Sequence, residues 1–244
     1  MWSKKQRIAH DLREAIARGD YPAGTALPAI TELMATYEVA RETVRGAIAD
    51  LAHEGLVTPR NGIGTIVRDL GRVELRSRPG AAHPEWSNTS GEVASTLTIE
   101  AGPATADRKI AERLELSLGD IVIRRIRHYS KGRDVVLLHE QWISGKVAET
   151  IRKKTGYDAG NREQQMPHDL YTLMRMAGHP PASTTEVVTT RMPDPSEKET
   201  MNMPVGIPVL LTLRVTDGES GEKLETSNFV GCGDRSSQTY TVPI

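Results

Sequence analysis

Two pairs of arginines carry most of the chemistry visible in this 244-residue chain. Arg41 and Arg45 lie four apart at the start of a helical pattern, a spacing that puts both guanidiniums on one side of a helix. Arg125 and Arg127 lie two apart in the strand-like run "DIVIRRIRHY", a spacing that puts both on one face of a sheet. On an open helix face, a guanidinium grips phosphate or reads guanine in the major groove. The second pair differs in kind. Ile121 and Ile123 precede it on the same strand face, so the arginines extend an apolar, core-facing stripe and need partners. On the following strand Val136, Leu138, Glu140 and Trp142 alternate likewise, which brings Glu140 toward them. Two readings stand for this cluster: a structural Arg–Glu pair, or the wall of a pocket.

The elements that must position these residues follow from periodicity. Ile8, Leu12 and Ile16 recur at helical spacing until "GDYPAG" ends a first helix. A second helix is expected from about 29 to 37, with Leu33 and Met34 inward. A third begins near Arg41, carries Val44, Ala47, Ile48 and Leu51 on one face, and stops at Gly55. Its opposite face holds Glu42, Arg45, Gly46 and Ala49, flanked by Arg41 and Thr43. Charge at the helix start and small residues behind it suit an element that enters a major groove N-terminus first. Gly46 costs that helix about 1 kcal/mol against alanine, and Ala40 forgoes a cap worth a similar amount. "LVTPR", Asn61-Gly62 and "GTIVR" then read as a hairpin, the Asn-Gly step supplying positive φ. Three helices and a hairpin make a winged helix-turn-helix.

Residues 68–91 show no period and cluster Gly, Pro, Ser and Asn, which reads as a linker. Beyond it, "DIVIRRIRHY", "VVLLHEQWI", "TTEVVTTR", "PVLLTLRVTD" and "KLETSNFV" are strand-like and joined by short turns such as "SKGR" and "GESG". That pattern favours a mainly antiparallel sheet with helices on one face, and an α+β chain overall. "DPSEKETM" places Asp194, Pro195 and Glu197 at N-cap, N1 and N3 of a short capped helix. The expected division is 1–70, a linker over 71–91, and 92–244.

Composition removes several function classes. Lys plus Arg (31) nearly cancels Asp plus Glu (32), which excludes affinity from bulk positive charge and makes any nucleic-acid contact local. Cys232 is a single cysteine with no intrachain partner, and the N-terminus lacks the apolar run of a signal peptide. A cytoplasmic protein without membrane contact is expected. The seven histidines show no metal-ligand spacing, and there is no Walker loop, nucleophile elbow or pair of catalytic carboxylates. No catalytic residue, metal or cofactor is expected, and no enzymatic activity.

"GDYPAGTALP", "ELMATYEVARETVRGAIADLAHEGLV" and "RNGIGTIV", over roughly residues 4–68, resemble the DNA-binding domain of the GntR family of bacterial transcription regulators. The resemblance implies that Arg41 and Arg45 contact DNA from the recognition helix, with Thr43 on phosphate and the wing near the minor groove. Glu42 on the same face and the wing glycines Gly62 and Gly64 complete the expected DNA-contacting set. Ala29, Ile30 and Thr31 depart from the Ser-Glu-Arg often found there. "AERLELSLGDIVIRRIRHYSKGRDVVLLHEQWIS", "HDLYTLM", "PVLLTLRVTDGESGEKLETS" and "GDR" resemble the UTRA effector domain of the HutC-type branch, an α/β domain with a chorismate-lyase-like sheet. That resemblance implies a ligand pocket at Arg125, Arg127, Glu140, Asp169, Tyr171 and Glu225. Asp169 and Gly231 stand where relatives that take sugar phosphates commonly carry serine and tyrosine, which implies a wider or differently shaped wall and an effector that is not a hexosamine phosphate but a larger or less anionic metabolite, or none.

The expected function is a homodimeric transcriptional regulator, in the first instance a repressor, on a double-stranded operator with inverted-repeat symmetry, modulated by a small molecule. The alternative is an effector-independent regulator of a mobile element whose C-terminal domain serves only dimerisation. An enzyme built on the chorismate-lyase-like half leaves the winged helix unexplained.

Overall fold

The computed structural model describes residues 2–60, 62–68, 73–77, 85–88, 95–131 and 134–240. These divide into two units, one within 1–71 together with 192–208, the other within 72–191 and 209–244.

In the first unit, α1 (Lys4–Arg18) starts with a capping box: the Gln6 amide donates to Ser3 Oγ at 3.2 Å and the Ser3 amide to Gln6 Oε1 at 2.9 Å. α2 (Ile30–Tyr37) follows Ala29, which has no side-chain oxygen to cap with. Only the reciprocal half of a box survives there, the Ala29 amide donating to Glu32 at 3.2 Å. α2 ends on Glu38 in the left-handed region, φ 49°. α3 (Arg41–His53) has no side-chain N-cap, since Ala40 precedes it. Ile8, Leu12, Leu33, Val44, Ile48 and Leu51 close a core between the three helices, the periodic residues turned inward as expected. β1 (Val57–Arg60) and β2 (Gly64–Val67) pair antiparallel as the wing, with Val57 opposite Val67. The chain before α2 adds to β2's free edge through Val67 N–H to Thr25 O and Leu27 N–H to Thr65 O, both 2.8 Å. α7 (Pro195–Thr200) opens on a box between Asp194 and Glu197 with Pro195 at its start.

The second unit is built on a six-stranded antiparallel sheet. Its strands are β5 (Ser95–Thr105), β6 (Ile121–Lys131), β7 (Asp134–Ser144), β8 (Pro181–Arg191), β9 (Val209–Gly218) and β10 (Lys223–Cys232), in the order β5-β6-β7-β10-β9-β8. Two three-stranded meanders meet at β7 and β10, which are therefore central. α5 (Gly145–Thr155) and α6 (Leu170–Ala177) cover one face over Ile143, Ile151, Leu173, Met174 and Leu224. α4 (Arg108–Leu114) covers part of the other over Val122 and Trp142. The α+β class and the mainly antiparallel sheet expected from sequence are thus present.

The stretch expected to be without strands holds two. β3 (Val73–Ser77) and β4 (Glu85–Asn88) form a three-stranded sheet with β11 (Ser236–Tyr240), which runs parallel to β3. Strands this short carry no readable alternation, and one partner comes from the far end of the chain.

Candidate functional site

On α3, Arg41, Glu42 and Arg45 are exposed and Thr43 is half-buried. Arg45 reaches Glu42 at 3.4 Å along the same helix, with 60% of its side chain still in solvent. The wing glycines take left-handed backbones, Gly62 at φ 76° and Gly64 at φ 114°, which a side chain at either position would strain. Asn61 lies outside the described residues. Between these glycines the tip carries Ile63, 65% exposed.

Gly46 requires a correction, because it does not simply open the face of α3. A Cβ there would come within 2.9 Å of Lys5 Cδ, whose stem crosses from α1 while its ammonium binds Asp50 at 2.8 Å. The glycine's helical cost is offset by passage for that lysine.

In the second unit a rung of polar side chains crosses five strands on the α5/α6 face. Cross-strand register aligns Arg125, Gln141, Ser227, Arg214 and Glu186 in turn. The neighbouring rungs hold Arg127 opposite His139, and Glu225 opposite Ile143 and Thr216. Arg127 Nη2 donates to Gln141 Oε1 at 2.8 Å, and Gln141 Nε2 donates to Glu225 at 2.9 Å. Glu225 is fully buried and also accepts from Thr216 and Ser227 hydroxyls, each at 2.7 Å. The Thr216 hydroxyl, already donating to Glu225, accepts from Tyr171 at 2.8 Å. Arg214 donates to Glu186 at 2.6 Å, and Gln238 of β11 donates to the same carboxylate at 3.1 Å.

Arg125 closes the rung at its β6 end. It is 4% exposed, and its Nε and Nη1 are buried without an acceptor among the described residues. Its guanidinium lies 5.9 Å from the Tyr157 ring centroid. Burial, reinforced by the charge of Arg127, pulls its pKa down to about 10, so it remains cationic at neutral pH.

The structure therefore brings Arg125, Arg127, Tyr171 and Glu225 to one face and separates Glu140 and Asp169 from them. Glu140 points to the opposite face and accepts from Arg124 at 2.6 Å, because Arg125 faces Gln141 across the ladder and Glu140 is one residue out of phase. Its expected place is taken by Gln141. Asp169 is exposed and caps α6, accepting from the amides of Tyr171 and Thr172 at 3.1 and 3.2 Å and from the Thr172 hydroxyl. Gly231 leaves no wider wall: a Cβ there would come within 2.7 Å of Ser236 Oγ, which β11 lays over it. Sequence reasoning missed Gln141, Ser227, Thr216, Arg214 and Glu186. Their alternation on β9 and β10 was legible, but their common rung needed the register.

Three helices with a two-stranded wing, joined in one chain to a domain built on an antiparallel sheet, define the class: a helix-turn-helix regulator of transcription with a second, sheet-based domain. The chain belongs to the GntR family of bacterial regulatory proteins, whose model matches residues 4–67, with a UTRA domain matched over 89–237. It is 25% identical to the HTH-type transcriptional regulator GgaR of Escherichia coli K12 over 91% of this chain and 84% of that protein. It is 26% identical to the HTH-type transcriptional repressor PhnF of Mycolicibacterium smegmatis over 89% of this chain and 84% of that protein. The crystal structure of PhnF from Mycobacterium smegmatis superposes with a TM-score of 0.56 at 23% identity, covering 97% of this chain and 99% of that one. Among the described residues no helix is long and apolar enough to cross a membrane.

Proposed function

We propose that the chain is a homodimeric, cytoplasmic, sequence-specific repressor whose affinity for an inverted-repeat operator is set by a small anionic effector, without cofactor or catalysis. The observation that carries this reading is Arg125: a buried guanidinium with two nitrogens lacking acceptors among the described residues, beside a second buried arginine. Such a group stabilises the fold little and an anion greatly, since a bound carboxylate or phosphate supplies charge-assisted hydrogen bonds in a dry site. Arg125 and Arg127 bind the effector's anionic group, Tyr171 borders it, and Glu225 holds Gln141 and the hydroxyls in place. Arg41, Glu42, Thr43 and Arg45 face one half-site, with Gly62 and Gly64 bringing the wing backbone close to the minor groove. Residues 92–244 pair the two copies and 71–91 connect the halves, so two-fold protein symmetry is written into the operator. Effector binding shifts the population between states that do and do not bridge both half-sites.

A second reading, an effector-independent regulator, draws support from Asp169 and Gly231. One is used as a helix cap and the other is covered by Ser236.

Selection of genomic fragments by the purified protein, followed by footprinting, tests the first reading. A protected inverted repeat is expected, along with metabolites that displace the protein from it. Release must vanish in Arg127→Ala while operator binding persists. Operator binding indifferent to every anionic metabolite encoded nearby would favour the second reading.

A further inference from the structure

A cleft of about 550 Å³ lies in the second unit between the first turns of α5 and the start of β6, and none of Arg125, Arg127, Gln141 or Glu225 lines it. Pro103, Leu116, Ile121 and Ile123 make its walls apolar. Its polar end is Ser144, Gly145 and Lys146. Ser144 is only 6% exposed, lines the cleft, and makes no side-chain hydrogen bond among the described residues. It occupies the N-cap position of α5 without capping it, so the first-turn amides have no side-chain acceptor.

The charge pattern at this end runs against the helix dipole. α5 has no acidic residue in its first turn and carries Lys146 there, an arrangement that favours a bound anion. Lys146 has no carboxylate partner among the described residues. The three carboxylates that line the cleft are each engaged elsewhere. Asp120 accepts the Ser117 amide and Asp158 the Gly160 amide, both at 2.8 Å. Glu149 is paired with Arg152 at 3.0 Å and Lys153 at 3.1 Å, which hold its carboxyl down to about 2. Gly145 fixes the geometry, because a Cβ there would collide with the Ile121 carbonyl oxygen and push the helix start off the strand.

We propose that this cleft is a second binding site, separate from the arginine network, for a small amphipathic anion. Its carboxylate or phosphate-ester head binds Ser144 Oγ, the Lys146 ammonium and the opening amides of α5, and its short apolar chain lies between Leu116, Ile121 and Ile123.

Titration calorimetry on the full chain with hexanoate, hexyl phosphate, hexanol and inorganic phosphate tests this. At least one of the two amphipathic anions should bind at least tenfold more tightly than both hexanol and inorganic phosphate, and comparison of the two identifies the head group. Lys146→Glu, at an exposed position and checked by its melting curve, should weaken that binding tenfold or more, and Ser144→Ala severalfold. Three results overturn the proposal: neither anion binding better than hexanol, affinity unchanged in both variants, or binding that survives Lys146→Glu but is lost in Arg127→Ala. The last would assign the anion to the arginine network and leave the proposed function standing.

Discussion

Arg45 keeps 60% of its side chain in solvent and touches one carboxylate on its own helix, whereas Arg127 is 5% exposed and donates into a chain of bonds that ends on a fully buried Glu225. The exposed pair is hydrated and screened, so folding costs it almost nothing and its interaction energy is realised only against a partner. The buried pair has already lost its water. Its neighbours must compensate, and where no acceptor among the described residues does so, as at Arg125, the fold carries the cost. The two regions should therefore answer mutation in different currencies: binding alone on α3, binding and stability together in the sheet.

The strongest test of that contrast is Glu225→Ala. Removing the acceptor of Gln141, Thr216 and Ser227 leaves three buried donors unsatisfied, and the local stability of the sheet should fall by about 3 kcal/mol. Hydrogen exchange of the β7 and β10 amides reads this directly, and a loss below about 1 kcal/mol would mean the network tolerates water. Arg45→Ala comes next, with operator affinity reduced by about 1 to 3 kcal/mol and an unchanged melting temperature. A lower melting temperature would give the exposed pair a structural role and collapse the distinction.

Arg125→Met sharpens the comparison from the other side. Replacing an undersupplied buried cation by an apolar side chain of similar length should raise stability in the absence of effector by about 1 kcal/mol while abolishing the anion response. The pH dependence has a defined sign. The folded pKa lies at about 10, below the ordinary guanidinium range, so above pH 10 the native state releases a proton that the unfolded chain keeps. Wild-type stability then rises with pH, and the advantage of Arg125→Met shrinks. The smallest effect is expected for Gly46→Ala, where improved helix propensity is offset by a displaced Lys5 stem and a loosened pair with Asp50, a net change within about 0.5 kcal/mol in urea titration.

How much was legible in the sequence divides along the same line. Val44, Ala47, Ile48 and Leu51 fix the face of α3 by period alone, and the positions of Arg41 and Arg45 follow from it. Arg125 and Arg127 were equally readable as a buried strand pair. Glu140 was not, because β7 lies at the centre of the sheet and is covered on both sides, so apolar residues occupy both parities and alternation no longer says which face is which. Only the pairing of Arg125 with Gln141 resolves it. The same limit applies to Gly231, whose lack of a side chain reads as open space until β11 is seen to fill it. Local patterns encode which way a side chain turns. They do not encode what arrives from elsewhere in the chain.

The lysine that crosses α3 also limits how this regulator can diversify. Lys5 lies where a side chain at 46 would project, so that position cannot join a reading surface without first evicting a residue from another helix and unsettling Asp50 as well. If α3 reads the operator as proposed, drift in operator preference is channelled through the exposed positions 41, 42 and 45. Alanine fits at 46 once the Lys5 stem shifts, but a side chain long enough to reach a base would have to displace that lysine from Asp50 as well, so a useful change at 46 takes more steps than one at 41, 42 or 45.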